Sequence, residues 1–174
     1  MTAGPVVWVT GLPSAGKSTL AERIAERARA SGIACAVLDG DDVRGALRHP
    51  AGRGVQERDA FYDSLARVAA LLASQGLAVI VAATANLAAH RARARALAPR
   101  FVEVHVATPP EECARRDAKG LYAAARAGSA HDVPGVDAPY EPPASPDVVA
   151  SGGEDEAAVE RVVSLLRARR RRRR

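Results

Sequence analysis

The chain has 174 residues, enough for one domain with a hydrophobic core; 48% of them are hydrophobic and 3% are aromatic. Its formal charge of +5 suggests nucleic-acid binding, but Arg167 and the arginines at 169–174 supply seven of the 25 basic residues. The other 18 basic residues are balanced by 20 acidic ones, which argues against a basic binding domain. We expect a solvated Arg-rich C-terminal tail at 167–174, with nucleic-acid contact through that tail as the alternative.

Short apolar runs alternate along the chain with segments of helical composition. Buried strands are predicted at 6–10, 33–38, 77–83 and 101–107, and helices at 17–30, 58–75, 87–97, 111–116 and from about 154. Strands that alternate with helices form right-handed crossovers onto a parallel sheet. We therefore predict an α/β fold of three layers with a parallel sheet of about five strands flanked by helices, which the GLPSAGKST loop at 11–19 makes a P-loop kinase type.

The domain organisation follows from changes in composition. Residues 1–166 are expected to form a single domain. A Gly-, Ala- and Pro-rich stretch at about 117–146 interrupts the alternation of strands and helices, and we interpret it as a lid segment. Arginines at 91, 93 and 95 alternate on a short predicted helix and are expected to form a solvated face.

Cysteine content and hydropathy indicate the compartment. Cys35 and Cys113 are too few for a disulfide framework or a cysteine metal site. The N-terminal segment has no signal-peptide pattern, and no run approaches the roughly 18 apolar residues of a membrane span. We expect a soluble, cytoplasmic protein without a membrane partner.

The segment GLPSAGKST at 11–19 follows the first predicted strand and opens the first predicted helix. Gly11, Gly16, Lys17 and Ser18 match the pattern G-x-x-x-x-G-K-[ST]. In such a loop backbone N–H groups converge on the phosphates, the lysine reaches the β and γ phosphates, and the hydroxyl binds Mg²⁺. We predict that the ATP-binding residues of the loop are Gly11, Ser14, Ala15, Gly16, Lys17, Ser18 and Thr19.

A phosphate-binding loop of this kind serves kinases, GTPases and ATP-driven machines alike. The chain shows no typical NKxD sequence for guanine recognition. Its third predicted strand ends in Ala83 rather than in the acidic residue of a typical ATPase strand. Both features favour a kinase.

Two acids, Asp39 and Asp41, follow the second predicted strand directly. They are expected at the carboxyl edge of the sheet, where ligands bind in open α/β folds. A carboxylate there can orient Mg²⁺ or accept a proton from an attacking hydroxyl. The competing interpretation is that Asp41 or Asp42 caps the next helix.

Four segments together resemble the adenylylsulfate (APS) kinases: TGLPSAGKST, LDGDDVR at 38–44, FVEVHVATPPEECARRDAKGLYAAARAG at 101–128 and GVDAPYEPPASPDVV at 135–149. These enzymes use ATP to phosphorylate the ribose 3′-hydroxyl of APS, and the resemblance covers nearly the whole chain. It implies ATP and Mg²⁺ as cofactors, a small-molecule alcohol as acceptor, and a homodimer.

The resemblance also implies roles for individual residues. The catalytic residues would be Lys17, Asp41 and Lys119, with Ser18 and Asp41 at the metal. Arg126 in the lid would contact ATP. The acceptor would be bound by Asp39, Arg44, Arg58, Asn86, Lys119 and Leu121, and Gly120 would belong to the lid.

This chain departs from the family pattern in the acceptor half of the site. Two phenylalanines that clasp the adenine of APS in the family align with Arg53 and Val133. Stacking is worth roughly 1 to 3 kcal/mol per base, so losing both faces would weaken APS binding unless the Arg53 guanidinium replaces one of them. An asparagine and an arginine of the family align with Phe61, Asp63 and Ser64, and a carboxylate at 63 would repel an anionic acceptor.

Three interpretations of function therefore stay open. The first is APS phosphorylation by a rearranged acceptor site. The second is the same phosphoryl transfer to a different small-molecule hydroxyl, such as that of a nucleoside, a sugar or a specialised metabolite. The third is a nucleotide-binding protein without catalysis, against which the presence of Lys17, Ser18, Asp41 and Lys119 argues.

Overall fold

The computed structural model describes residues 2–47 and 54–168 of the chain. Arg53 and the arginines at 169–174, for which the sequence suggested roles, lie outside the described residues. The elements in chain order are β1 (Val6–Thr10), α1 (Lys17–Ala30), β2 (Cys35–Asp39), α2 (Gly40–Ala46), α3 (Val55–Ser74), β3 (Ala78–Ala82), α4 (Ala88–Leu97), β4 (Phe101–Val106), α5 (Pro110–Arg116), α6 (Leu121–Arg126), β5 (Val148–Ala150) and α7 (Glu156–Ala168).

A parallel five-stranded sheet forms the middle layer, with the strand order β2-β3-β1-β4-β5. Trp8 in β1 is in register with Val81 in β3 and with Glu103 in β4. This architecture confirms the predicted fold class. Because β1 lies between β3 and β4, the loop that follows it opens in the middle of the carboxyl edge of the sheet, where the polar ends of β2 and β3 also lie.

Two apolar layers cover the two faces of the sheet. On one face Val7 and Val9 pack with the buried residues of α1 and α7, among them Leu20, Ile24, Val159 and Val162. On the other face Val6 and Trp8 pack with α3 and α4 through Phe61, Leu65 and Ala94. Alternate residues of β1 therefore anchor opposite layers, which fixes the start of the following loop from both sides.

Three short elements were not predicted from the sequence. Helix α2 begins within the acidic cluster, where Gly40 and two aspartates have low helix propensity. Helix α6 and strand β5 span six and three residues, too few for a periodic pattern to develop. Strand β2 also begins later than predicted, at Cys35, and it extends to Asp39.

The prediction of a solvated arginine face on α4 was wrong for Arg91, whose side chain is 4% exposed. Its Nε donates to Glu103 Oε1 at 3.1 Å, and its Nη1 and Nη2 donate to the carbonyls of Ala85 and Glu141 at 2.7 Å each. Glu103 lies on β4, so the partner that permits burial comes from another element. In the part of the chain that the structure describes, no helix is long and apolar enough to cross a membrane.

Candidate active site

The loop between β1 and α1 has the backbone shape that its glycines predicted. Gly16 adopts φ +100°, and a Cβ at this residue would lie 2.7 Å from the nitrogen of Gly153. A Cβ at Gly11 would lie 2.7 Å from the carbonyl oxygen of Val106. The backbone is thus packed too tightly for side chains at either position. Helix α1 begins at Lys17, so its N-terminal N–H groups and positive dipole face the loop.

Lys17 bends back over this loop, and its Nζ donates to the carbonyl oxygen of Leu12 at 2.8 Å. Burial, with a smaller contribution from the charge of Lys119, lowers the pKa of Lys17 from 10.5 to about 8. The ammonium form lacks a full counter-charge at this position. A polyphosphate bound at the loop would supply one.

Asp39, the last residue of β2, joins the acidic cluster to the loop. Its Oδ2 accepts a hydrogen bond from Ser18 Oγ at 2.5 Å, and its Oδ1 accepts one from the backbone nitrogen of Asp41 at 2.9 Å. Asp39 is therefore the N-cap of α2, and the expectation that Asp41 or Asp42 caps the helix was wrong. The extended backbone of Asp39 (φ −76°, ψ 131°) suits an N-cap, whereas Asp41 and Asp42 lie within the first turn.

Because Asp39 caps helix α2, the Asp41 carboxylate is not used as a cap, and it lines the cleft. It forms an ion pair with Lys119 Nζ, at the start of the stretch predicted to be a lid. Both side chains are more than half exposed, at 60% and 55%, so this pair can exchange partners at little cost. Two of the predicted catalytic residues are thus in contact across the mouth of the cleft.

A cleft of about 420 Å³ contains most of the predicted site. One half is formed by the phosphate loop and the acids, and the other by residues of α2, α3, β3 and the 117–146 stretch. The lining includes Ser14, Gly16, Lys17, Ser18, Thr19, Asp39, Asp41, Arg44, Arg58, Phe61, Tyr62, Thr84, Arg116, Lys119, Leu121 and Pro134. Its volume lies within the range of small-molecule sites.

Four predicted site residues are not among the described residues that line this cleft: Gly11 and Ala15, which are buried in the phosphate loop, and Arg126 and Asn86. Arg126 is exposed in the last turn of α6. Asn86 is 3% exposed, and its Nδ2 donates to the carbonyl oxygen of Pro139 at 2.9 Å. Ala85, with φ +41°, turns the chain just before Asn86 and directs the amide into the protein interior. The contacts of Asn86 are those of a structural residue.

The 117–146 stretch is fastened to the phosphate loop at its start. The buried Tyr122 donates from its hydroxyl to the carbonyl oxygen of Pro13 at 3.1 Å, and burial raises its pKa to about 12. The backbone nitrogen of Ala118 donates to Ser14 Oγ at 3.2 Å. Sequence reasoning missed this anchor, because no pattern distinguishes Tyr122 from other residues of a short helix.

The acceptor half differs from the expectation in two ways. Val133 is 3% exposed, so the surface at this turn is provided by its neighbour Pro134, which lines the cleft. The Asp63 carboxylate, expected to repel an anion, lies 2.7 Å from Arg67 Nε and 3.8 Å from Arg93 Nε, and it is not among the described residues that line the cleft. Two basic groups therefore compensate the Asp63 carboxylate, and the cleft does not carry the predicted extra negative charge.

The oxygen ligands in the cleft fit Mg²⁺ bound together with a nucleotide. Ser18 Oγ and a carboxylate oxygen of Asp39 are already in contact, and both are of the hard oxygen type that Mg²⁺ prefers. The sequence had paired Ser18 with Asp41 instead. Within the described residues no group of three or more His, Cys, Asp and Glu side chains could hold a metal by itself. Phosphate oxygens and water would complete the coordination.

Known proteins match both the sequence and the fold. The family model for adenylylsulphate kinase matches residues 3–151. An adenylyl-sulfate kinase of Synechococcus sp. (strain JA-2-3B'a(2-13)) is 40% identical over 168 residues, which cover 95% of this chain and 96% of the relative. A bifunctional enzyme NodQ of Azospirillum brasilense is 44% identical over 165 residues; these cover 92% of this chain, which spans only 27% of that enzyme.

A solved structure agrees over almost its full length. The Mycobacterium tuberculosis APS kinase CysC, solved in complex with AMPPNP and APS, superposes with a TM-score of 0.89 at 38% identity. The match covers 95% of this chain and 99% of that one. Sequence, fold and the arrangement of the phosphate loop lead to the same conclusion: the chain belongs to the adenylylsulphate kinase family.

Proposed function

We propose that this protein transfers the γ-phosphoryl group of ATP to the 3′-hydroxyl of adenylyl sulfate. The observation that carries the proposal is that one cleft is lined by the phosphate loop and Asp41 on one side and by Arg44 and Arg58 on the other. A donor and an anionic acceptor bound in the two halves would meet at the Asp41 carboxylate. The family relationship supports this acceptor over other alcohols.

The donor half is organised for a triphosphate. Lys17 would exchange its contact with the Leu12 carbonyl for phosphate oxygens, and the N–H groups of the loop would hold the β-phosphate. Ser18 and Asp39 would hold Mg²⁺, which supplies charge neutralisation between the β and γ phosphates when bound. Positioning and electrostatics account for most of the catalysis of such transfers.

Asp41 is the proposed acceptor of the proton from the attacking hydroxyl. Its carboxylate is exposed to the cleft, and its backbone is fixed by the hydrogen bond to Asp39. Lys119 pairs with it across the cleft and would move onto the transferring phosphoryl group as the 117–146 lid closes. The ion pair therefore holds both groups close to their site of action before ATP binds.

A second candidate is phosphorylation of a different small-molecule hydroxyl. It is favoured by the buried side chain of Val133, because an adenine would meet Pro134 at this turn instead of an aromatic face. A panel of nucleosides, sugars and other alcohols, assayed beside adenylyl sulfate, separates the two candidates.

The test is the release of ADP from Mg·ATP in the presence of micromolar adenylyl sulfate. We expect turnover by the wild type, none above background by Lys17→Ala, and a loss of about 10²- to 10⁴-fold in Asp41→Asn. Intact ATP binding without turnover of adenylyl sulfate would contradict the proposed acceptor. The single domain at 1–166, the lid, the homodimer and the cytoplasmic location stay predictions.

A further inference from the structure

Phe61 and Arg44 form a contact that the donor chemistry does not use. The Cζ atom of the Arg44 guanidinium lies 3.8 Å from the centroid of the Phe61 ring, in the range of a cation–π contact. Phe61 is 1% exposed and packs in the core beneath α3, and both residues line the acceptor half of the cleft. A rigid core residue therefore lies against a charged side chain in the site.

Arg44 is carried by a short helix at the edge of the cleft. Helix α2 is seven residues long, and within its described residues none is buried. Ordering a long arginine side chain costs up to about 2 kcal/mol of rotamer entropy, so a contact that orders it before the acceptor arrives favours binding. The Phe61 ring is held by the core, so it can restrict the guanidinium before any acceptor arrives.

Arg44 and Arg58 both line the acceptor half of the cleft, next to Tyr62. Tyr62 follows Phe61 on α3 and also lines the cleft. Burial raises the pKa of its hydroxyl, and the charges of Arg58 and Arg44 oppose that rise. Two guanidinium groups thus lie near one hydroxyl in the acceptor half, and they make a region of positive potential suited to an anionic group.

We propose that Phe61 is a positioning residue for acceptor binding, which holds the Arg44 guanidinium toward the anionic part of the acceptor. The inference rests on the proposed function, because it takes adenylyl sulfate as the acceptor. It also gives a role to Phe61, which stands where the family resemblance implied an asparagine. The face of the aromatic ring can hold the Arg44 guanidinium through a cation–π contact, and the small amide of an asparagine has no aromatic face to do so.

The test compares Phe61→Leu with a matched control. Leucine keeps the apolar core residue and removes the aromatic face. The control is Phe101→Leu, because the Phe101 ring carries the Arg95 guanidinium at 4.6 Å outside the cleft lining. We expect Phe61→Leu to raise the KM for adenylyl sulfate about five- to tenfold while the KM for ATP changes less than twofold. Phe101→Leu should leave both constants unchanged.

Two further variants separate positioning from packing. Phe61→Tyr keeps the aromatic face and should restore the KM for adenylyl sulfate to within about twofold of wild type. In an Arg44→Gln background, Phe61→Leu should add less than twofold, because the cation it positions is gone. Equal effects on both substrates, or the same fold-change with and without Arg44, would overturn the positioning role.

Calorimetry separates this inference from the proposed function. Binding of adenylyl sulfate to the Mg·ADP complex is measured without chemistry, for wild type and Phe61→Leu. Absent turnover with intact binding would reject the proposed activity, while weaker binding in Phe61→Leu would still support the positioning role. Wild-type binding that Phe61→Leu leaves unchanged, or no wild-type binding, would reject the positioning role.

Discussion

The protonation of Lys17 makes a quantitative prediction about ATP binding. With a pKa of about 8 instead of 10.5, the empty loop disfavours the ammonium form by about 3 kcal/mol. The lysine of the free protein is therefore about nine-tenths neutral at pH 9 and about one-tenth neutral at pH 7. A bound triphosphate favours the charged form, and with the pKa back at its ordinary 10.5 the lysine would be almost fully protonated at pH 9. ATP binding should take up about 0.9 proton at pH 9 and about 0.1 at pH 7.

The assay is calorimetric titration of Mg·ATP in two buffers whose heats of ionisation differ. The difference in observed enthalpy gives the number of protons taken up on binding. Lys17→Arg is the control, because its guanidinium stays charged throughout this pH range, so uptake at pH 9 should disappear. Uptake near zero for the wild type at pH 9, or uptake that persists in Lys17→Arg, would refute a neutral lysine in the empty site.

The lowered pKa of Lys17 also predicts how the free energy of unfolding changes with pH. Between pH 8 and 10.5 the unfolded chain holds a proton on Lys17 that the folded protein has released. The nucleotide-free protein should therefore gain free energy of unfolding from this group as the pH rises through that window, because the unfolded state binds more protons. Urea titrations of wild type and Lys17→Arg at both pH values measure the contribution.

Two substitutions test the scaffold. Arg91→Leu should lower the free energy of unfolding by about 3 to 5 kcal/mol in urea titrations, because it removes a buried guanidinium that donates to Glu103 Oε1 and to two carbonyl oxygens, although Arg95 still pairs with Glu103 Oε2. Arg93→Leu, which removes the ion pairs with Asp59 and Asp63 at a side chain 36% exposed, should cost about 0 to 1 kcal/mol; equal losses would contradict the assigned burial. Gly16→Ala should abolish ATP binding by calorimetry, because its Cβ would collide with the backbone of Gly153; retained affinity would contradict the loop geometry.

The phosphate loop was predictable because its chemistry dictates its sequence. Tight packing against Gly153 and Val106 permits only glycine at 16 and 11, and the dipole of α1 requires a helix start at Lys17. The central strands were equally predictable, since β3 is apolar throughout, β1 is apolar up to its last residue Thr10, and both are buried on both faces. Such features depend on local backbone and burial alone.

Other parts of the site depend on contacts between distant elements. The hydrogen bond between Ser18 and Asp39 requires the end of β2 to reach the start of α1, and nothing in either segment encodes that distance. Arg91 is buried only because Glu103 on β4 faces it. Asn86 turns inward because of the left-handed turn at Ala85. Helix and strand propensities and hydrophobic periodicity carry no information about contacts between distant elements, so these three contacts could not be predicted from the sequence.

The central claim is that the chain phosphorylates the ribose 3′-hydroxyl of adenylyl sulfate. The most direct measurement follows label from γ-labelled ATP into adenylyl sulfate and into its 2′-deoxy and 3′-deoxy analogues, with Lys17→Ala as the blank. The account predicts labelled product from adenylyl sulfate and the 2′-deoxy analogue and none from the 3′-deoxy analogue. No transfer to adenylyl sulfate, or equal transfer to the 3′-deoxy analogue, would contradict it.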